Sequence, residues 1–342
     1  MHRTGLVFDP RCLYHAIEQP SPENPDRLRA LYRILQEPRY RERTIAVAAR
    51  EAGVPLVEKV HSSFYLDQLR DHAVRGDPFA YDKDTYLMEE SLPTALLAAG
   101  GCLQLADAIM AGDLEYGFAL VRPPGHHACA GRGMGFCILN NVALTARHLL
   151  DYYGLSRILI VDFDVHHANG TQEIFYESNR VLVFSIHQRG IFPFSGAAEE
   201  LGVDKGLGYS VNIPVHPQFG DHEYTYLLGT VLQNLAEQYL PQFILVSAGY
   251  DGHADDSISQ ILLSTEWFAS ATAMLRRTAR EVCDNRLLFI LEGGYNPLAL
   301  ERSVLVTLEA LLDEGIVLPG ILPVERALRV LHQHPLRNFW TV

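Results

Sequence analysis

Residues 158–170 read ILIVDFDVHHANG, a run of branched aliphatic residues that ends abruptly in polar ones. Four consecutive apolar residues rich in Ile and Val suit a strand buried on both faces, as in a parallel sheet covered by helices. Asp162, Asp164 and His166 follow at alternate positions, and on extended backbone such spacing puts all three on one side. Carboxylate oxygens and an imidazole nitrogen delivered together suit a divalent metal such as zinc, which takes both at roughly 2.0–2.2 Å. Strands also end in Asp where a carboxylate caps the next helix, and Ala168-Asn169-Gly170-Thr171 is a reasonable helix start. Three residues in register, with His167 beside them, favour the metal reading.

Outward from this segment the same alternation repeats. Residues 117–121, 157–161, 181–185, 243–247 and 287–291 read as strands, while helical periodicity marks 25–36, 93–110, 140–153, 223–240, 265–283 and 297–312. Asn24 as N-cap with Pro25 in the first turn starts the first helix. The pattern predicts an α/β fold, a single domain over 1–342 with a central, mainly parallel sheet flanked by helices. Five polar motifs sit directly behind the strands: RPPGHH (122–127), DFDVHH (162–167), SIHQ (185–188), AGYDGH (248–253) and EGGYN (292–296). Ligands of open α/β sheets bind beyond the carboxyl ends of the strands, so these loops should converge on one site.

Composition narrows the function. The 342 residues are 48% hydrophobic and 20% charged, with no low-complexity tract, linker or repeat. A formal charge of −13 argues against nucleic acid, which is held mainly by Lys and Arg, and favours a cationic substrate. Acidic residues in loop-like segments include Asp77, Asp82, Asp84, Glu199, Glu200, Asp255 and Asp256, most of them read as solvated surface. Five dispersed cysteines indicate neither disulfides nor a thiolate zinc site, and fit a reducing compartment. No signal peptide is evident and no run approaches ~18 apolar residues, so we expect a cytoplasmic protein without a membrane span. A homo-oligomer is left open.

Within the motifs, His126 and His127 place two imidazoles on a proline-stiffened loop, where they can exchange protons near neutral pH. Asp251 is the candidate third metal ligand, with His253 as the alternative. Two carboxylates and one His leave a neutral zinc site with open positions for water and a carbonyl. Tyr295, behind two glycines, can donate to a developing oxyanion.

Taken together, PPGHH, GFCILNN, DFDVHHANGTQ, SAGYD and EGGYN resemble the zinc-dependent histone deacetylases of the arginase/deacetylase superfamily, over about residues 21–297, in wording closer to class II and bacterial members. The resemblance implies an arginase/deacetylase-like fold and hydrolysis of acylated amines, most simply acyl-lysine of proteins or peptides. It makes Asp164, His166 and Asp251 the zinc ligands, His126 and His127 the tandem histidines, and Tyr295 the oxyanion donor. Asp162 becomes a supporting carboxylate that also meets a structural potassium ion, with Ser185, Ile186 and backbone oxygens of Asp164 and His166; a second potassium site lies around Phe175, Ser178, Val181 and Tyr209. Gly135, Phe136 and Phe192 line a substrate tunnel, and Asp84, or alternatively Asp82, is its rim aspartate. Asn169 stands where class I members carry an Asp partner for His127. Ile258 sits near the position where polyamine-selective members carry a glutamate, which favours acyl-lysine, while the acidic balance keeps acetylpolyamines as an alternative. An arginase-type binuclear site lacks its D-x-D pair at Asp251, and a non-catalytic acyl-binding module does not need the intact catalytic set. Zinc and ferrous iron both accept these ligands.

Overall fold

The computed structural model describes residues 3–75, 81–313 and 320–342, so Asp77 lies outside the described residues. Eight strands, β1 (Thr4–Val7), β2 (Ile45–Ala46), β3 (Tyr116–Ala119), β4 (Ile158–Asp162), β5 (Val181–Gln188), β6 (Ser210–Val215), β7 (Phe243–Ala248) and β8 (Leu287–Leu291), form one sheet in the order β2-β1-β3-β8-β7-β4-β5-β6. Every pairing is parallel, so the expected mainly parallel sheet is wholly so. The five strands read from sequence are neighbours in space, β3-β8-β7-β4-β5, and all their carboxyl ends lie on one edge.

Alternation along each strand builds two cores. Ile158 and Ile160 pack on one face with Leu105 and Ala106 of helix Ser91–Met110 and Ala143 and Leu144 of helix Asn141–Asp151. Leu159 and Val161 pack on the other with helices Asp221–Tyr239, Thr265–Val282 and Pro297–Leu312. Each such fully buried aliphatic side chain contributes about 1.5–3 kcal/mol. Helix Ser91–Met110 is long and apolar enough to cross a bilayer, contrary to the expectation that no run approaches that length; two-thirds of its most apolar window is buried inside the fold, where it serves as a core helix.

Side-chain caps fix several helix starts. Asn296, the last residue of EGGYN, accepts from the N–H groups of Leu298 and Ala299 and so caps the helix that begins at Pro297. Asn24 accepts from Asp26 N–H, and the first helix runs Asp26–Leu35 with Pro25, in helical angles, at the cap position.

Beneath the site edge lies a buried ion network invisible to local pattern. Arg122 grips Glu23 bidentately at 2.6 and 2.7 Å, Arg27 reaches it at 3.1 Å, and all three side chains are essentially inaccessible. Burial alone would raise the Glu23 carboxyl, but Arg122, His15 and Arg27 outweigh it and draw it down to about 2. Its stabilisation is complete above an unfolded value of 4.5 and fades as pH falls toward about 2. Removing one partner of a buried pair strands the other charge. Glu23→Gln should therefore cost about 3–5 kcal/mol in urea unfolding at pH 7, with the deficit shrinking at low pH; an unchanged midpoint would show the network to be energetically neutral.

Candidate active site

Extended spacing is not what unites the residues behind β4. The strand ends at Asp162, and residues 164–166 form a bend. Asp162 Oδ1 accepts from Asp164 N–H at 3.1 Å, and Asp164 Oδ1 from His166 N–H at 2.9 Å, two successive Asx-type turns that carry the chain over the sheet edge. Asp251, three residues beyond β7, accepts from Val165 N–H at 2.9 Å and so joins the same bend.

Asp164, His166 and Asp251 thereby bring one donor atom each within 4.8 Å of one another, all buried. His166 Nδ1 lies 3.1 Å from Asp164 Oδ1 and 3.0 Å from Asp251 Oδ2. Asp251 Oδ2 is fully enclosed and satisfied by no hydrogen bond. The backbone is shaped around these oxygens: a Cβ on Gly293 would fall 2.3 Å from Asp251 Oδ2 and 2.5 Å from Asp164 Oδ2, and one on Gly249 would fall 2.1 Å from Asp164 Oδ2. An orphaned carboxylate oxygen, two converging anions and an imidazole fit a zinc-type dication in number and kind. Burial, together with the Asp164 charge, raises the Asp251 carboxyl, while the imidazoles of His126 and His166 hold Asp164 well below its ordinary value.

The tandem histidines differ through their partners. His126 Nδ1 meets Asp162 Oδ2 at 3.0 Å and its Nε2 lies 3.8 Å from Asp164. Burial would lower its pKa, but Asp162 and then Asp164 lift it to about 10, an imidazolium. His127 Nδ1 meets neutral Asn169 Oδ1 at 2.7 Å. Burial, and then the charges of His126 and His166, push it well below its ordinary value, a neutral imidazole. The rings lie 4.0 Å apart. Their loop is held from below by Glu292, whose Oε2 accepts from Gly125 and His126 N–H at 2.6 and 3.1 Å. Burial raises this carboxyl to about 7.

Tyr295 faces the same centre. Its ring lies 5.4 Å from Phe136, the Arg27 guanidinium stands 4.8 Å from its centroid, and burial raises its phenol well above the ordinary value. Arg27 also donates to Glu292 and Gly294 carbonyls at 2.6 and 2.7 Å, clamping both sides of the glycine turn. Phe192 lies edge-on to His127 at 5.0 Å, and Gly135 packs so closely between these two rings that a Cβ would meet them at 2.6 and 2.7 Å. Asp82 accepts from Gly135 N–H and from Asp84 and Thr85 N–H, so it shapes the loop; the Asp84 carboxylate has no hydrogen bond among the described residues. Ile258 is half-buried against the core.

The alternative ligand His253 points elsewhere: Nε2 bonds Thr265 and Nδ1 accepts from Asp255 N–H. Ser185 pairs in register with Asp162 but its hydroxyl engages His187. Around Phe175, Ser178, Val181 and Tyr209, the Phe175 carbonyl accepts from Ser178 N–H and the Tyr209 carbonyl from Val183 N–H. Sequence reading missed Asp256, counted among the surface acids but buried: it accepts from Tyr295 and Asn296 N–H at 2.6 and 3.0 Å, and from Ile258 N–H at 3.2 Å. It also missed Glu292 and Arg27, which serve backbone groups more than 160 residues away and so leave no local period, and Glu23, whose bidentate partner Arg122 is 99 residues distant. The one available signal was Glu292, the first residue of a motif already flagged.

Comparison with known proteins agrees with this geometry. The histone deacetylase domain matches residues 21–311. A probable deacetylase of Archaeoglobus fulgidus is 38% identical, covering 86% of this chain and 81% of that protein. Histone deacetylase 15 of Arabidopsis thaliana is 38% identical over 91% of this chain but only 57% of its own length; the histone deacetylase-like amidohydrolase of Pseudomonas aeruginosa is 32% identical over 90% and 86%. The crystal structure of the HDA15 HD domain superposes with a TM-score of 0.90 at 36% identity, covering 99% of this chain and 95% of that one. With this sheet, this site edge and these relatives, the chain belongs to the histone deacetylase family of hydrolases and has its arginase/deacetylase fold.

Proposed function

We propose that the protein is a zinc-dependent deacylase acting on acyl-lysine of peptides or proteins. The observation that carries this reading is the buried triad of Asp164, His166 and the unsatisfied Asp251 oxygen, set beside one charged and one neutral histidine. Zinc held by the triad would supply Lewis-acid polarisation of the amide carbonyl and a lowered pKa for water. His127, neutral and oriented by Asn169, is placed to take the proton of the attacking water and return it to the leaving amine. His126, held charged by Asp162, stabilises the negative charge that develops as the amide carbon becomes tetrahedral. Tyr295 keeps its proton and donates it as a hydrogen bond to that oxyanion. Phe136, Phe192 and Gly135 enclose an aliphatic chain, and the free carboxylate of Asp84 suits substrate backbone N–H groups. Asp162 and Ser185, neighbours in register, contribute oxygens of the kind a structural potassium ion takes.

Apolar Ile258, near the position where polyamine-selective members of the family carry a glutamate, favours acyl-lysine over a polyamine, whose second ammonium would seek a carboxylate there. The surplus of acid over base, −13, keeps acetylpolyamines as the second reading. We place the protein in the cytoplasm on the grounds of its dispersed, unpaired cysteines.

Asp251→Asn should leave the fold intact and abolish stoichiometric zinc by elemental analysis; retained zinc would remove Asp251 from the ligand set. Tyr295→Phe should lower kcat about 10²–10³-fold with zinc content unchanged, and undiminished turnover would refute the oxyanion role. In steady-state assays, kcat/KM for an acetyl-lysine peptide should exceed those for acetylputrescine and acetylspermidine; a large preference for either polyamine reverses the substrate order.

A further inference from the structure

Building on the assignment of His127 as the base, we propose that Cys129 and Met134 are positioning residues whose sulfurs fix the Asn169 amide with its oxygen toward His127. This orientation locks the ring in its Nδ1-protonated tautomer and leaves the Nε2 lone pair toward the reacting centre.

Asn169 Nδ2 lies 3.5 Å from Cys129 Sγ and 3.3 Å from Met134 Sδ, while Oδ1 lies 2.7 Å from His127 Nδ1. A thioether carries no proton and can only accept, so the amide atom facing Met134 must be the donor. The Cys129 thiol has two acceptors for its proton, the His127 carbonyl at 3.7 Å and the Glu173 carboxylate, and with its proton on either it turns a lone pair to the amide. Both N–H bonds of Asn169 are then used and its oxygen has one place to go. Flipping the amide would set a carbonyl oxygen against a thioether, two acceptors in contact. It would also present NH₂ to His127 Nδ1, forcing the ring proton onto Nε2 and leaving no lone pair to take a proton from water. Asn169 and Cys129 also line a surface cleft of about 600 Å³, so water competes for the amide wherever a sulfur is withdrawn.

The same contacts select amide over carboxylate. An Asp at 169 would hold its second oxygen against Met134 Sδ, which has nothing to donate. The preference for Asn thus resides partly in Met134, on a different loop.

The test uses zinc-loaded, ¹⁵N-histidine-labelled enzyme, with the His127 resonances identified by their loss in His127→Ala. Long-range ¹H–¹⁵N spectra should show the Nδ1–H tautomer in the native protein. Met134→Leu, a conservative change at a part-exposed position, should mix the tautomers and lower kcat roughly two- to fivefold, the size of a weak hydrogen bond, with KM and zinc content unchanged. Asn169→Asp should cost less kcat in the Met134→Leu background than alone. An Nε2–H tautomer in the native enzyme would overturn the proposal. So would Met134→Leu leaving both tautomer and kcat untouched, or equal costs of Asn169→Asp in the two backgrounds. Full activity of His127→Ala would instead strike the base assignment, while the tautomer, read without turnover, would still decide the role of the sulfurs.

Discussion

Four carboxylates, Asp162, Asp164, Asp251 and Glu292, are buried together at one sheet edge, and most of the local architecture answers to that charge. A buried ion costs several kcal/mol unless it is paired and hydrogen-bonded. Here backbone N–H groups of Gly125, His126, Asp164, Val165, His166 and Gly293 all point at these oxygens. Such donors can be aimed only if four loops hold fixed positions, which five adjacent parallel strands provide. Asp251 Oδ2, which accepts no hydrogen bond and has only the His166 ring nitrogen 3.0 Å away, is an oxygen of the kind a dication takes.

The tandem histidines show how little sequence distance is needed to separate chemical roles. One backbone step apart and equally buried, they part because a carboxylate lifts one, while burial and the neighbouring imidazole charges lower the other more than its amide partner raises it. The charged ring then disfavours a charge on its neighbour. The protonation state of His127 therefore depends on His126 and, through it, on Asp162.

The sequence carried the central strands because each is buried on both faces and reads as an uninterrupted apolar run. It missed β1, β2, only two residues long, and β6, an edge strand whose Pro214 is tolerated because one side of that strand bears no neighbour. Site residues inside the motifs were legible because metal and proton chemistry demands particular side chains. Their geometry was less so: the register expected for Asp162, Asp164 and His166 gave way to turns, which no period announces. Least visible were the groups that act on backbone. Asp256 looks like any surface acid in D-D-S, and only the fold reveals that it is buried.

Asp256 has an implication for how this enzyme can change. One carboxylate fastens the loop that runs from Asp251 to Ile258 and, across the site, the backbone on which Tyr295 rides. The backbone of Ile258 and the backbone of Tyr295 thus share a single strut. A displacement of the 251–258 loop is therefore transmitted to the backbone of Tyr295, and any remodelling of one needs compensating change at Asp256 or the glycine turn of the other.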